Sequence, residues 1–433
     1  ITLNVYHLTI VVNTLVTIGF LPFITKSNQM EDFVGTTCKT EETMISITRE
    51  MKARAKEGEP FIDSELNNII KSLENLTPEN SNIDWKALRE LLTKVCHYSH
   101  KDWDRTGNNS SLLGKILLSK DSMSSPVARQ LFDRIINEGN WDGAVRHAES
   151  THGENQCQPW AVLVTGVNGI RKTTAMYQSW FPKVLEEALV SPPDENVAFN
   201  LETLPCGNNS FFRQLDHMIT TLCNEDFKRL YALTGEEMNT EEEDYSIPKD
   251  LIQKYSDLKA AIFSRFRTIS ELLGVVLLRE AQELNINCML ETSGRDVAMF
   301  HYVDTFFAKE KYNKMALHFV INDLTCAQTS VDNRMVQEMK AGLVALQSND
   351  AHQIVYANAG GPYGSGVLKG VQTDSDRVWK EHVMNGDVGQ DWYKATIAIN
   401  AHPTEPWTAQ AVRPDGSLGT LYTFTSPRVV DKN

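Results

Sequence analysis

No Cys-x-x-C pair occurs in the chain, and the seven cysteines (Cys38, Cys96, Cys157, Cys206, Cys223, Cys288 and Cys326) are scattered and odd in number. That argues against a zinc ribbon or a disulfide framework and for free thiols in an intracellular reducing compartment, cytosol or organelle. Positive charge is also in deficit, with a net −14 over 433 residues. A general nucleic-acid binder needs an excess of Lys and Arg, so no nucleic-acid partner is expected. Neither an internal repeat nor a long low-complexity tract is present. Charge is missing altogether before Lys26, where "LTIVVNTLVTIGFLPFI" is mostly apolar. Its length would permit one membrane span, although Asn13, Gly19 and Pro22 interrupt it. Residues 1–25 therefore keep three readings: a membrane anchor, an uncleaved targeting remnant, or a segment buried on its own protein or a partner.

What remains has ordinary globular composition, 41% hydrophobic and 23% charged, enough for two or three domains. Residues 26–155 read as helices. "EETMISITREMKARAKEG" and "DSELNNIIKSLENL" carry apolar residues at helical spacing, Asp84 is a plausible cap, and "SSPVARQLFDRIINEG" begins with Ser-Pro and ends at Gly139. His97, His100 and His147 could be ligands, but surface or core histidines are the ordinary occurrence.

Residues 156–345 alternate in type. Strands are expected at 161–164, 197–201 (in "NVAFNLE"), 286–290 and 316–321, with helices between them. The acidic "GEEMNTEEEDYSIPKD" reads as a solvated insertion. The alternation predicts an α/β fold with a parallel sheet. Residues 346–433 form a β-rich C-terminal region. There "HQIVYANAGG" holds a short strand, "GGPYGSG" reads as a flexible turn rather than a second nucleotide site, since no Lys-Ser/Thr and no clear helix follow it, and "WYKATIAINA" and "TAQAVRPDGSLGTLYTFT" supply strands around a Pro-Asp-Gly-Ser turn.

The chemistry-bearing stretch is "AVLVTGVNGIRKTT", residues 161–174. A phosphate-binding loop has the pattern Gly-x-x-x-x-Gly-Lys-Ser/Thr. Gly166, Lys172 and Thr173 fill three of its positions, and Arg171 stands where the second glycine belongs. The turn through Gly166, Asn168 and Gly169 can offer backbone N–H groups to an anion, Lys172 can reach β- and γ-phosphates, and Thr173, with Thr174 beside it, can ligate Mg²⁺. Arg171 cuts both ways. A side chain there can crowd the phosphate, yet its charge also suits one. If it points away from the anion the cradle survives; if it fills the cradle, no phosphate enters.

The loop string resembles that of signal-recognition-particle GTPases, and "ETSGR" (291–295) is similar to their Asp-Thr-Ala-Gly-Arg element. No convincing guanine-reading Thr-Lys-x-Asp follows, so that resemblance stops there. Over 158–345 the chain resembles the zeta-toxin-like family of P-loop kinases. Members place a P-loop after strand one, an acidic residue after strand two, a Glu-x-Thr-x-x-Arg-like element after a later strand, and an arginine-bearing lid helix after the next. Lys172 and Thr173, Glu202 in "FNLETL", Glu291 and Arg295 in "MLETSGRD", and Arg334 in "HFVINDLTCAQTSVDNRM" follow that order. The chain departs from the pattern at Arg171, at Glu202 where Asp is usual, and near Glu338, where no second lid arginine is evident.

The resemblance implies an ATP- and Mg²⁺-dependent phosphotransferase acting on a small-molecule hydroxyl, such as a sugar or nucleotide-sugar. Lys172 would hold the transferring phosphate, Glu202 accept the acceptor's proton, Glu291 hold the acceptor or a metal-bound water, and Arg334 with Arg295 offset transition-state charge. Each charge has a plainer reading as well. Glu202 can be a solvated strand end, Arg334 a helix-surface charge, and Arg295 with Asp296 a simple pair. The rival is a non-catalytic scaffold or assembly subunit on the same core, with a protein partner.

Overall fold

A computed structural model describes residues 37–79, 81–118, 123–151, 158–192, 201–238, 247–348 and 350–425. The chain divides into two compact units, 1–39 and 40–433, and apart from the first three residues of the first helix everything below belongs to the second. The apolar segment 1–25 lies outside the described residues. Among the described residues, no helix is long and apolar enough to cross a membrane.

The described chain opens on helices α1 (Thr37–Glu57), α2 (Asp63–Glu74), α3 (Trp85–Val95), α4 (Trp103–Leu117), α5 (Pro126–Leu131), α6 (Asp133–Glu138) and α7 (Trp141–Thr151). Their starts follow the local chemistry. Asp84 accepts a hydrogen bond from the Ala87 N–H at 2.9 Å, and Ser125 caps α5 with Pro126 in its first turn. Leu88, Leu91, Leu92 and Val95 bury one face of α3. The helix expected from Ser125 to Gly139 is two short ones. Phe132 leaves helical geometry between them (φ −106°, ψ 21°) and is completely buried, so packing overrides the helical period there.

The core is β1 (Trp160–Thr165), α8 (Lys172–Met176), α9 (Phe181–Ala188), a 3₁₀ turn Leu201–Thr203, β2 (Ser210–Arg213), α10 (Leu215–Leu222), α11 (Asn224–Glu237), α12 (Lys249–Arg265), α13 (Arg267–Glu283), β3 (Asn287–Glu291), α14 (Ala298–Phe306), β4 (Asn313–Ile321) and α15 (Leu324–Ser348). Then come α16 (Ala351–Ala357), a 3₁₀ turn Ser365–Val367, α17 (Leu368–Val378), a π-helical turn Trp379–Met384, β5 (Tyr393–Asn400), β6 (Thr408–Val412) and β7 (Tyr422–Thr423). The strands form one sheet in the order β2-β3-β1-β4-β5-β6-β7. It is parallel from β2 to β5 and antiparallel beyond. All six residues of β1 are buried, as a central parallel strand requires. The fold is α/β with a mostly parallel sheet, helices before it and the C-terminal strands extending it.

Three local expectations change. Residues 193–200, most of the expected second strand, lie outside the described residues, and Leu201 and Glu202 begin the 3₁₀ turn instead. The second strand of the sheet is "SFFR", 210–213. The apolar run at 351–357 is helical, not extended, with Asp350 accepting from the His352 N–H at its start. A short apolar run cannot settle that choice alone. Finally, a helix does follow "GGPYGSG", namely α17.

Because β1 lies between β3 and β4, the connection from β3 to β4 passes over it. In an open parallel sheet, the carboxyl end of such a strand is where ligands gather.

Candidate active site

The phosphate-type loop sits at that carboxyl end. Gly166 (φ +124°) and Gly169 (φ +85°) hold conformations that side chains avoid. Space forbids a side chain as well: a Cβ on Gly166 would lie 2.6 Å from the Phe319 carbonyl oxygen, and one on Gly169 2.4 Å from that of Ala327. Arg171 also adopts the left-handed conformation, with φ 60° and ψ 33°. For a non-glycine residue this costs about 1–2 kcal/mol. Its side chain leaves the loop and lays the guanidinium 4.1 Å from the centroid of the Trp407 ring. That contact returns roughly 0.5–1 kcal/mol at an exposed site, and it keeps the guanidinium out of the cradle.

Lys172 is buried. Its Nζ donates to the carbonyls of Gly166 (2.8 Å) and Val167 (3.0 Å) and lies 3.1 Å from Oε1 of Glu291. The Thr173 hydroxyl donates to Oε2 of the same carboxylate at 3.0 Å. Sheet register explains the meeting, since Glu291 at the end of β3 pairs with Val164 near the end of β1. Thr174 follows in α8, where its carbonyl accepts from Gln178 Nε2 at 3.4 Å. Thr173 with Glu291 offers hard oxygen donors of the kind Mg²⁺ takes when phosphates complete its shell. Among the described residues, no cluster of three or more His, Cys, Asp or Glu could hold a metal unaided.

A cavity of about 890 Å³ opens beside the loop and is lined in part by Asn168, Thr173, Asp216, Glu291, Arg295 and Arg334. The structure thus gathers the loop, Glu291 and Arg334. Glu202 is not among the lining residues. It is exposed in the 3₁₀ turn, whose Thr203 carbonyl accepts from Trp160 Nε1 at 2.9 Å. Trp160 begins β1, so this turn is tied near the sheet edge opposite the loop. The cause is the displaced second strand: the acidic residue just past β2 is Asp216, in the first turn of α10. Burial and then the neighbouring Glu291 charge push the Asp216 carboxyl above its usual range, while Lys259 and Arg334 pull the other way. Its sequence signal was "SFFRQLD", a four-residue strand with an acid three residues beyond it.

Arg334 lies in α15, which follows β4. Its Nη2 donates to the Gly361 carbonyl at 3.4 Å, and its Nε is buried with no partner among the described residues. Among the described residues, no second arginine of the lid helix lies with Arg334 in the cavity wall. The cation at Glu338 is Lys259, fully buried, which donates to Glu338 (2.8 Å), Asn358 Oδ1 (2.7 Å) and the Gly360 carbonyl (2.7 Å), and Glu338 also accepts from Tyr255. Arg295 lies 5.4 Å from the centroid of the Tyr363 ring. Asp296 pairs with Lys101 at 3.1 Å. Of the three histidines, His97 and His100 line the cavity; at His100 burial, then Arg267, lower the pKa to about 4, so it is neutral near pH 7.

The far wall comes from the helical region, including Lys52, Lys56 and the turn His97–Lys101. Nine Lys and Arg line the cavity against four Asp and Glu, the reverse of the net −14 of the chain. Six of the nine already face carboxylates (Lys52, Lys101, Arg134, Arg213, Arg265 and Arg267), which leaves Lys56, Arg295 and Arg334 as the lining charges best able to meet an anionic occupant.

No protein-family model matches the chain, and no curated protein does. A solved chain from the PezAT chromosomal toxin–antitoxin system of the human pathogen Streptococcus pneumoniae aligns with 66% of this chain and 81% of its own length. The identity is 12% and the TM-score 0.28. That likeness is too loose to carry a functional reading, which rests on the geometry above.

Proposed function

We propose that this protein is an ATP-dependent phosphotransferase that moves a phosphoryl group onto a hydroxyl of a small molecule. A sugar or nucleotide-sugar is the acceptor that the zeta-toxin-like resemblance implies. One observation carries the reading: Glu291 engages both Lys172 and Thr173, and it lines, with Thr173, a cavity that Asp216 and Arg334 also line. Phosphoryl transfer asks for positioning and charge stabilisation more than covalent chemistry, and these groups supply both.

In this mechanism Lys172 leaves the Gly166 and Val167 carbonyls and takes the β- and γ-phosphates. The backbone of Gly166, Asn168 and Gly169 cradles them. Thr173 and Glu291 would hold Mg²⁺, whose charge would offset that of the phosphates. Asp216 takes the proton-accepting role, in preference to Glu202: its raised pKa and its place in the cavity suit a base facing the acceptor hydroxyl. The acceptor oxygen bonds to the γ-phosphorus, the bond to the β–γ bridging oxygen breaks, ADP leaves, and the acceptor proton passes to Asp216. Arg334 and Arg295 neutralise the charge that grows on the transferring group.

The scaffold reading keeps one observation of its own. Lys172 is satisfied by two carbonyls of its own loop and by Glu291, a closed arrangement that needs no ligand. A protein assembly partner belongs to that reading. Calorimetric titration of the full chain with Mg-ATP separates the two, followed by ADP release with sugar and nucleotide-sugar acceptors. Binding that Lys172→Ala removes supports the phosphotransferase. Folded wild-type protein that binds no Mg-ATP leaves the scaffold.

A further inference from the structure

We propose that Arg171 and Trp407 form the platform on which the base of the bound nucleotide lies. The proposal rests on the phosphotransferase reading and deepens it. The sheet order divides the site in two around β1, with β3 and β2 on one side and β4, β5 and β6 on the other. Asp216 and Glu291 follow β2 and β3 and face the cavity on the first side. A phosphoryl group bound for an acceptor there must present its reacting end to that side. The rest of the nucleotide then runs the other way, across the loop towards β4 to β6. Arg171 leaves the loop in that direction, because its guanidinium meets Trp407, the residue before β6.

The pair is built as a shelf. Trp407 is only 6% exposed and is fixed by its neighbours. Its carbonyl accepts from the Phe424 N–H at 2.9 Å. The start of the β5–β6 connection is pinned by Asn322, which accepts from the Ala401 N–H at 2.8 Å and donates to its carbonyl at 3.3 Å. Arg171 is exposed as a residue and its guanidinium carbon sits 4.1 Å over the indole, so the proposal gives the base the guanidinium face turned away from the ring. A planar, weakly hydrated cation stacks on π systems through either face. A purine laid on the outer face would complete a three-layer stack of base, guanidinium and indole. The left-handed backbone at residue 171 aims the side chain outward. A glycine there, as the phosphate-loop pattern has it, would offer the same cradle and no shelf.

The test uses the full chain and two ligands that share phosphates but not a base, Mg-ATP and Mg-tripolyphosphate, titrated by calorimetry against wild type, Arg171→Gly and Arg171→Lys. Glycine keeps the left-handed loop and removes the side chain; lysine keeps the charge and removes the plane. The platform predicts that wild type binds ATP about tenfold or more tightly than tripolyphosphate. Both variants should lose most of that preference while holding tripolyphosphate within about threefold of wild type. Equal loss on both ligands would mean that Arg171 acts on the phosphates or on loop shape, and the platform falls. It falls too if Arg171→Gly leaves ATP affinity unchanged, or if wild type binds tripolyphosphate and ATP alike. If wild type binds neither ligand, the phosphotransferase reading fails together with the platform.

Discussion

The Thr173 hydroxyl donates to Oε2 of Glu291 at 3.0 Å, across the seam where β1 and β3 end side by side. One carboxylate therefore restrains the hydroxyl of the phosphate-type loop and, through its other oxygen, the Lys172 ammonium at 3.1 Å. Nucleotide entry requires Lys172 to exchange two carbonyls for phosphate oxygens. The carbonyl contacts are neutral acceptors, whereas phosphate is an anion, so the exchange is favourable.

Lys172→Ala removes that charge-assisted contact. Mg-ATP affinity should fall by roughly 1.5–3 kcal/mol, about 10- to 150-fold. The α8 start should stay folded, since Ala is a good helix former. Isothermal titration, with circular dichroism as the folding control, reads it. An unchanged affinity would show that Lys172 never leaves its carbonyls.

Asp216 and Glu202 make a paired test of which carboxylate takes the proton. Asp216→Asn should lower turnover about 10²- to 10⁴-fold with little change in ATP binding, whereas Glu202→Gln should leave turnover within about twofold. The pH profile carries a second signature. Burial and the Glu291 charge raise the Asp216 carboxyl, so the base form is lost as pH falls through a value above the ordinary aspartate 3.8. The acid limb of kcat/KM should sit correspondingly high. A limb at the ordinary value, or a Glu202→Gln collapse, returns the role to another group.

Glu271 anchors a stability prediction away from the reacting atoms. It is fully buried, with Arg213 and Arg267 each 2.6 Å away. Burial alone would raise its carboxyl; the charge of Arg213 and then of Arg267 outweighs that and holds it at about 2. In the unfolded chain it titrates near 4.5. Its contribution to stability is therefore complete above that value and is lost as pH falls from there towards 2, a change of roughly 3 kcal/mol. Glu271→Gln leaves two guanidiniums without their counter-charge and should cost roughly 3–5 kcal/mol near neutral pH. Its urea midpoint should also vary less than that of wild type over the acid window. Matching midpoints at both pH values would refute the assignment.

The parts of this fold that could be read from residues alone are those whose signal is local. The apolar runs at β1, β3, β4 and β5 and the Ser-Pro start of α5 each announce themselves by period or cap. The loop was legible because phosphate binding needs a fixed spacing. β2 was not: four residues, Ser210 to Arg213, gain strand character only by pairing with β3, and that pairing is non-local. Missing β2 moved the acidic residue of the second strand from Asp216 to Glu202. The direction of Arg171 was equally hidden, because Trp407 stands 236 positions further along the chain. So was the helical wall of the cavity, since Lys101 meets Asp296 only once α3 and α4 have packed.

Gly360 decides whether Arg334 is placed by the loop after α16 or merely passes near it. Gly360 has φ +145°, and a Cβ built there would lie 2.7 Å from Arg334 Nη1. The Lys259 ammonium holds the Gly360 carbonyl from below at 2.7 Å, so the loop cannot easily retreat. In Gly360→Ala the guanidinium is displaced, and the backbone is strained as well, because φ +145° is a conformation that side chains avoid. If Arg334 stabilises the transferring group, turnover should fall about 10- to 100-fold, while ATP affinity, set at the phosphate loop, stays within about threefold. Gly370→Ala is the matched control. It lies in α17 with nothing within 4 Å of its Cβ, and an alanine in an open helical position should add about 0.5–1 kcal/mol of stability without touching the kinetics. Steady-state rates and thermal midpoints of both variants separate the outcomes. Full turnover in Gly360→Ala, with the protein folded, would show that the observed Arg334 position is not the working one, and the charge on the transferring phosphoryl group would then need another cation, with Arg295 the next in the cavity wall.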